Sequence, residues 1–224
     1  MLKKFEKLPI IYLLFFTFFI SSSSCVVLSY IESQAKLNIH KSLYTVLQMT
    51  QEALQRWSIN QSQKIVLISR NVEIRRMAQD LIENRSEHAS YKTQMNVRDL
   101  INQSNLSFDV QNFYLIDQKG INLVSKFDDE LGSENLVKSK RNVELTRIFN
   151  DEAVFIPPIM HPSHITQKFP GRSPHPVTFV GAPVHNDKGD VVAALLMGFD
   201  PQLHFSRITE LGRMGYSGET YAFD

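Results

Sequence analysis

Cysteine is almost absent from this chain. The lone Cys25 has no partner for an intramolecular disulfide, so any folded region is held by its core alone, and cysteine usage says nothing about redox compartment. Charge of one sign is lacking too. The 24 Lys and Arg stand against 23 Asp and Glu, a formal net charge of +1, and without a clustered basic face there is no electrostatic reason to expect nucleic acid as a partner. Missing as well are a serine in a nucleophile elbow, a cysteine outside the first apolar run to pair with a histidine, and a glycine-rich phosphate loop. Gly212, Gly215 and Gly218 are spaced like a connecting turn. The sequence therefore offers no catalytic constellation, and neither an enzyme nor a cofactor is expected. Collagen-like periodicity and disordered composition are also absent: apolar residues make up 43% and charged residues 21%, the proportions of a chain that folds.

Long apolar runs, by contrast, are present from the start. Residues 9–31, PIIYLLFFTFFISSSSCVVLSYI, carry no charge and follow Lys3, Lys4 and Lys7. A span of about 20 uncharged residues is what a helix needs to cross the hydrocarbon core at 1.5 Å per residue. Lysines before the span and Glu32 after it place the N-terminus in the cytoplasm by the positive-inside bias. The expectation is an uncleaved anchor, with residues 1–8 cytoplasmic and the remainder exported across a bacterial inner membrane as a periplasmic or extracellular domain. Two cleaved forms compete with it. Ser21 to Ser24 would suit a signal-peptide cleavage region, and SSSSC resembles a degenerate lipoprotein box that would lipidate Cys25. Ser22 stands where that box prefers leucine, and apolarity resumes at Val26, Val27, Leu28 and Ile31, as in a continuous membrane helix. All three forms export the rest.

Proline and glycine are missing from residues 33–69, where Ile39, Leu43, Val46, Leu47, Ala53, Leu54 and Trp57 recur at helical spacing, so a long amphipathic helix is expected. Asn71 starts a second helix, with Glu73 in its first turn and Ile74, Met77, Ala78, Leu81 and Ile82 as its stripe. A third helix is expected over 91–103. The period then changes. VQNFYLID (110–117), the turn Asp117-Gln118-Lys119-Gly120 and INLVS (121–125) read as a β-hairpin in which Gly120 supplies the positive φ. A helical segment over 135–149 follows, then a short strand over 153–156, a proline- and histidine-rich loop over 157–176 and a strand over 177–184. A second hairpin turn, Asn186-Asp187-Lys188-Gly189, leads into strand 191–199, and Asp200-Pro201 opens a helix with Asp200 as cap. This order predicts an α+β fold, with a long helix packed on the side of an antiparallel sheet as in PAS-like domains. TYAFD at 220–224 echoes FYLID at 113–117.

These segments together resemble the double-Cache (PDC-type) extracytoplasmic sensor domains of bacterial chemoreceptors, histidine kinases and nucleotide cyclases. The residues that carry the resemblance are LQRWSINQSQKIVLISRNVEIRRMAQDLI behind the anchor, FYLIDQKGINLVS, GAPVHNDKGDVVAALLMGFDP and RMGYSGETYAFD. The resemblance implies a membrane-distal PAS-like domain over 86–208, behind helices over 33–85. It further implies a connector and first strand of a second subdomain over 209–224, with an output domain beyond the chain. It implies a small-molecule ligand and a signalling role; the alternative is an anchored binding module without output. The family's amino-acid signature of Tyr, Arg, Trp, Tyr and Asp is not found in place. Trp57 lies on the long helix, where core packing accounts for it.

A pocket in such a fold is expected between the sheet and the loop over 157–176. His161, His164, Arg172 and His175 supply hydrogen-bond donors and one fixed charge suited to a carboxylate or other anion. Tyr114, Lys126 and Thr178 are expected to complete that site. An exposed loop without a ligand is the competing account. The histidine spacing fits no closed zinc motif, so no metal is expected. The apolar stripe of residues 33–69 also suits a homodimer.

Overall fold

A stretch without proline or glycine can propagate as one helix, and this one does: α1 runs from Leu8 to Ser69. The computed structural model describes residues 8–83, 87–104, 110–160 and 175–210. The chain divides into two compact units, Met1–Met49 and Thr50–Asp224. In the first, α1 exposes Phe15, Phe18, Leu28, Leu43 and Leu47. Among the described residues α1 is the one helix long and apolar enough to cross a membrane, with a mean hydropathy of 1.8 over its apolar window and none of that window buried.

The second unit is α+β. α1 ends at Ser69, and the side chain of Asn71 accepts the Glu73 N–H at 2.8 Å, which caps α2 (Val72–Glu83). α3 (Glu87–Gln103) follows. The sheet is antiparallel, with order β2-β1-β5-β4-β3, from β1 (Val110–Asp117), β2 (Asn122–Ser125), β3 (Val154–Met160), β4 (Pro176–His185) and β5 (Val191–Phe199). Its two faces have different covers. On one face Phe113, Leu115, Val180, Ala182, Leu195, Met197 and Phe199 pack with Ile65 of α1, Ile74, Ala78 and Leu81 of α2, and Val97 and Ile101 of α3. On the other, Tyr114, Ile116, Ile156, Val177, Phe179, Ala194 and Leu196 meet Val137, Leu145 and Ile148, from α4 (Leu136–Lys140) and α5 (Asn142–Phe149). Helix residues from Ile65 onward share the sheet's core, so this stretch is part of the sheet's own unit. The single Trp57 stands edge-on to Phe155, Phe199 and Phe205, with centroids at 6.2, 5.7 and 5.4 Å, which is the packing role expected of it.

The two hairpin turns are built alike. The side chain of Asp117 accepts from the N–H groups of Lys119 and Ile121, each at 2.9 Å, and that of Asn186 from Lys188 and Asp190, again at 2.9 Å. Gly120 (φ +77°) and Gly189 (φ +89°) take the left-handed position in each. Asp200 caps α6 (Pro201–Glu210) by accepting from Gln202 N–H at 2.8 Å.

Two expectations change. The helix expected over 135–149 is divided at Arg141, which leaves helical geometry at φ −140° and ψ 51°. The strand expected over 153–156 extends to Met160 through Pro157 and Pro158. An edge strand tolerates prolines because one side of it needs no donors, and the β3–β4 register shifts between Ile156 and Ile159, where they fall. The strand expected at 220–223 lies outside the described residues.

Candidate functional site

Strand parity decides which side chains can meet. Directly opposed residues of an antiparallel pair share a face. Tyr114 opposes Leu196 and Ser125, so all three lie on the face away from α1–α3. Asn112 opposes Gly198 and, two residues before Tyr114, lies on the same face. A register shift between Val110 and Asn112 marks a bulge at Gln111, which puts Val110 on the helical side and not on the face that Asn112 and Tyr114 share. Lys126 holds the bulge, its Nζ donating to the carbonyls of Val110 at 3.3 Å and Gln111 at 2.8 Å. Its backbone N–H donates to Phe113 O at 3.2 Å.

The chain after β2 turns through a short 3-10 segment, Asp128–Glu130. This brings the Glu130 carboxylate over the face, where its two oxygens accept from Tyr114 OH at 3.2 Å and Ser125 Oγ at 2.7 Å. Tyr114 is 3% exposed and its ring tilts against Phe179 at 6.1 Å. Burial pushes its phenol far above the ordinary value, and the charge of Glu130, its hydrogen bond and the charge of Asp129 push the same way. Tyr114 is therefore a neutral donor throughout the physiological range. Asn112 is 6% exposed. Opposite it, Gly198 has no side chain, and a Cβ there would come within 2.9 Å of Phe179 and 3.0 Å of Val177. The result is a largely buried patch of amide, phenol, hydroxyl and carboxylate beside the apolar side chains of Phe179 and Val177. It lies towards the end of the sheet where Met160 pairs with Pro176, the two residues that close β3 and open β4.

Of the residues expected at the site, Tyr114 and Lys126 lie at this end of the sheet, although Lys126 spends donors on backbone carbonyls. His175 immediately precedes Pro176 and is half-buried. His161, His164 and Arg172 lie outside the described residues. Thr178 does not join Tyr114. It opposes Phe199, which packs on the helical side, and its buried hydroxyl donates to Ile156 O at 2.7 Å; its role is to tie β4 to edge strand β3. Asn112, Ser125 and Glu130 were not anticipated. The signals for them were the paired amides Gln111-Asn112 at the start of a largely apolar strand, and an acidic run, Asp128 to Glu130, two residues after β2. Among the described residues no cluster of three or more His, Cys, Asp or Glu side chains could hold a metal ion.

No family model matches the chain, and no curated protein does. Solved structures do. The sensor domain of the V. cholerae histidine kinase DctB superposes with a TM-score of 0.51 at 15% identity, over 81% of this chain and 61% of that one. The ligand-binding domain of the Pseudomonas aeruginosa PAO1 amino acid chemoreceptor PctB, in complex with L-Arg, gives 0.52 at 13% identity, over 79% and 57%. The chain thus spans about three fifths of the length of each. At such identities the likeness establishes architecture alone: a five-stranded antiparallel sheet that follows a long N-terminal helix in the chain has the fold of these two domains.

Proposed function

We propose that this chain is the extracytoplasmic ligand-sensing part of a membrane-anchored signal-transduction protein, and not an enzyme. The observation that carries the reading is the patch formed by Asn112, Tyr114 and Glu130 on the sheet face away from α1–α3, in a fold shared with two sensor domains. A small polar ligand is bound there, between the sheet and residues 161–174. Tyr114 and Asn112 orient it, and His161, His164, Arg172 and His175 favour a carboxylate or other anionic group. Ligand shifts the domain between two packings by its differential affinity for them. The apolar part of α1 over 9–31 sits in the bilayer of a bacterial inner membrane. A second copy of the chain packs against the stripe of Ile39, Leu43 and Leu47, which is exposed here. Residues 209–224 lead towards a second subdomain and an output domain of kinase, cyclase or chemoreceptor type.

The test is a thermal-shift screen of the full chain in detergent against amino acids, organic acids and polyamines, repeated with Arg172→Ala and Asn112→Ala. Concentration-dependent stabilisation by one class, lost in both variants, is expected. Stabilisation that survives both variants would move the ligand elsewhere. A C-terminal reporter fusion active only in the cytosol would overturn the topology and the sensing role with it.

A further inference from the structure

We propose that Arg98 on α3 is a positioning residue for this site: it holds the Asp128–Glu130 turn from the helical side of the sheet, and so fixes the Glu130 carboxylate against Tyr114 on the opposite face. The purpose of the device rests on the sensing role above; its geometry does not.

The contacts form an unbroken series around the β2 edge. Arg98 is largely buried, its side chain 13% exposed, and its Nη2 lies 2.6 Å from Asp128 Oδ1. Its Nε donates to the Ser125 carbonyl at 2.8 Å. The hydroxyl of the same Ser125 donates to Glu130 Oε2 at 2.7 Å and accepts from Phe127 N–H at 3.2 Å. Glu130 Oε1 then accepts from Tyr114 OH at 3.2 Å. One guanidinium therefore meets both ends of the segment that carries Glu130, the end of β2 through a hydrogen bond to a backbone carbonyl and the 3-10 turn through an ion pair in which Nη2 makes no aligned hydrogen bond. The guanidinium offers a donor to the carbonyl and a fixed charge to the carboxylate from two separate nitrogens, which a single lysine ammonium would not reproduce.

α3 is itself tied to the rest of the helical layer. Thr93 Oγ1 donates to Asp80 of α2 at 3.2 Å, and Gln94 Nε2 donates to the Leu123 carbonyl of β2 at 3.2 Å. β2 is an edge strand of only four residues, the part of the sheet with the fewest backbone bonds to break. A ligand that draws Glu130 or Tyr114 towards itself would pull on this strand and on Arg98. Displacement of α3 by the helices would release Glu130 in turn. The turn is thus a two-sided latch between the ligand face and the helical layer, with a physical link at each step.

The test needs no ligand. The full chain in detergent is labelled with 13Cζ-tyrosine, and the Tyr114 resonance is identified by its loss in Tyr114→Phe. Glu130→Gln sets the shift produced by losing the charged acceptor. Arg98→Met is expected to move the resonance in the same direction, with Arg98→Lys intermediate. Asp128→Asn, at a side chain 73% exposed and so of little risk to folding, is expected to do the same to a smaller extent. A resonance that stays at its wild-type position in Arg98→Met while Glu130→Gln moves it overturns the inference, as does an unmoved resonance in Asp128→Asn if Arg98→Met does not fold. Failure of the ligand screen would leave these shifts standing, so the two ideas fall separately.

Discussion

Replacing each hairpin glycine by alanine separates two costs that usually arrive together. Gly120 and Gly189 hold equivalent places in equivalent turns, at φ +77° and +89°, so an alanine at either must adopt the left-handed conformation. That costs about 1–2 kcal/mol, offset by about 0.4–1 kcal/mol from the narrower unfolded ensemble. Around Gly189 a Cβ would meet nothing within 4 Å, whereas at Gly120 it would run into Lys138 of α4, with Cγ at 3.0 Å and Cδ closer still. Lys138 is held there by a hydrogen bond from Nζ to Lys119 O at 2.5 Å and by an ion pair with Glu134 at 3.2 Å. Gly189→Ala is therefore expected to lose about 1 kcal/mol, which is the conformational cost alone. Gly120→Ala adds an overpacking cost of about 1–3 kcal/mol to it. Removing the obstruction in Gly120→Ala/Lys138→Ala is expected to recover most of that excess. The assay is urea unfolding of the full chain in detergent, followed by the fluorescence of Trp57, the one tryptophan, whose ring lies among Phe155, Phe199 and Phe205. Equal losses for the two single variants would refute the reasoning. So would an excess at Gly120 that survives removal of the Lys138 side chain.

Alkaline pH is a second test. The Tyr114 phenol is raised above its ordinary 10.0, so its contribution is complete below pH 10 and falls as pH rises beyond it, where the unfolded chain ionises and the folded one does not. The urea midpoint is expected to drop between pH 9 and pH 11, and to drop less in Tyr114→Phe. Asp200→Ala removes both the α6 cap and the acceptor for Gln111 Nε2, which lies at 2.9 Å; a loss of about 1–2 kcal/mol in the same unfolding assay is expected. Gly181→Ala places a Cβ into Ile148 and within 2.7 Å of Leu196, so a loss of about 1–3 kcal/mol is expected, with partial recovery in Ile148→Val. Leu43→Cys in a Cys25→Ser background is expected to form an oxidant-induced dimer in membranes, and monomer alone on a non-reducing gel would count against the second copy at α1.

What was legible in the sequence was local chemistry. Asp117-Gln118-Lys119-Gly120 and Asn186-Asp187-Lys188-Gly189 carry their own acceptors and their own left-handed residue, so each hairpin could be placed without knowledge of anything beyond it. The same holds for Asn71 and Asp200, whose side chains cap the helices that start beside them. The break at Arg141 and the extension of β3 through two prolines were not legible, because the first depends on tertiary packing and the second on β3 being at an edge. The site required one thing more. Parity along a single strand can be read from residue numbers, but parity between strands needs the register of the strand that joins them. Tyr114 and Thr178 are both paired to β5, at Leu196 and Phe199, and an odd separation of three residues on β5 sends them to opposite faces. A register different by one residue would have put them on the same face. Nothing in either strand's composition distinguishes these outcomes. Register here is held by the buried side chains of both faces at once, since a slip would carry Phe199 and Met197 to the side of α4 and α5, or Phe179 to the side of α1–α3, and break the packing on each. Asn112 shows the same dependence. Its face follows from its pairing with Gly198 on β5, and the bulge at Gln111 that sends Val110 to the other face is held by a lysine from the neighbouring hairpin arm.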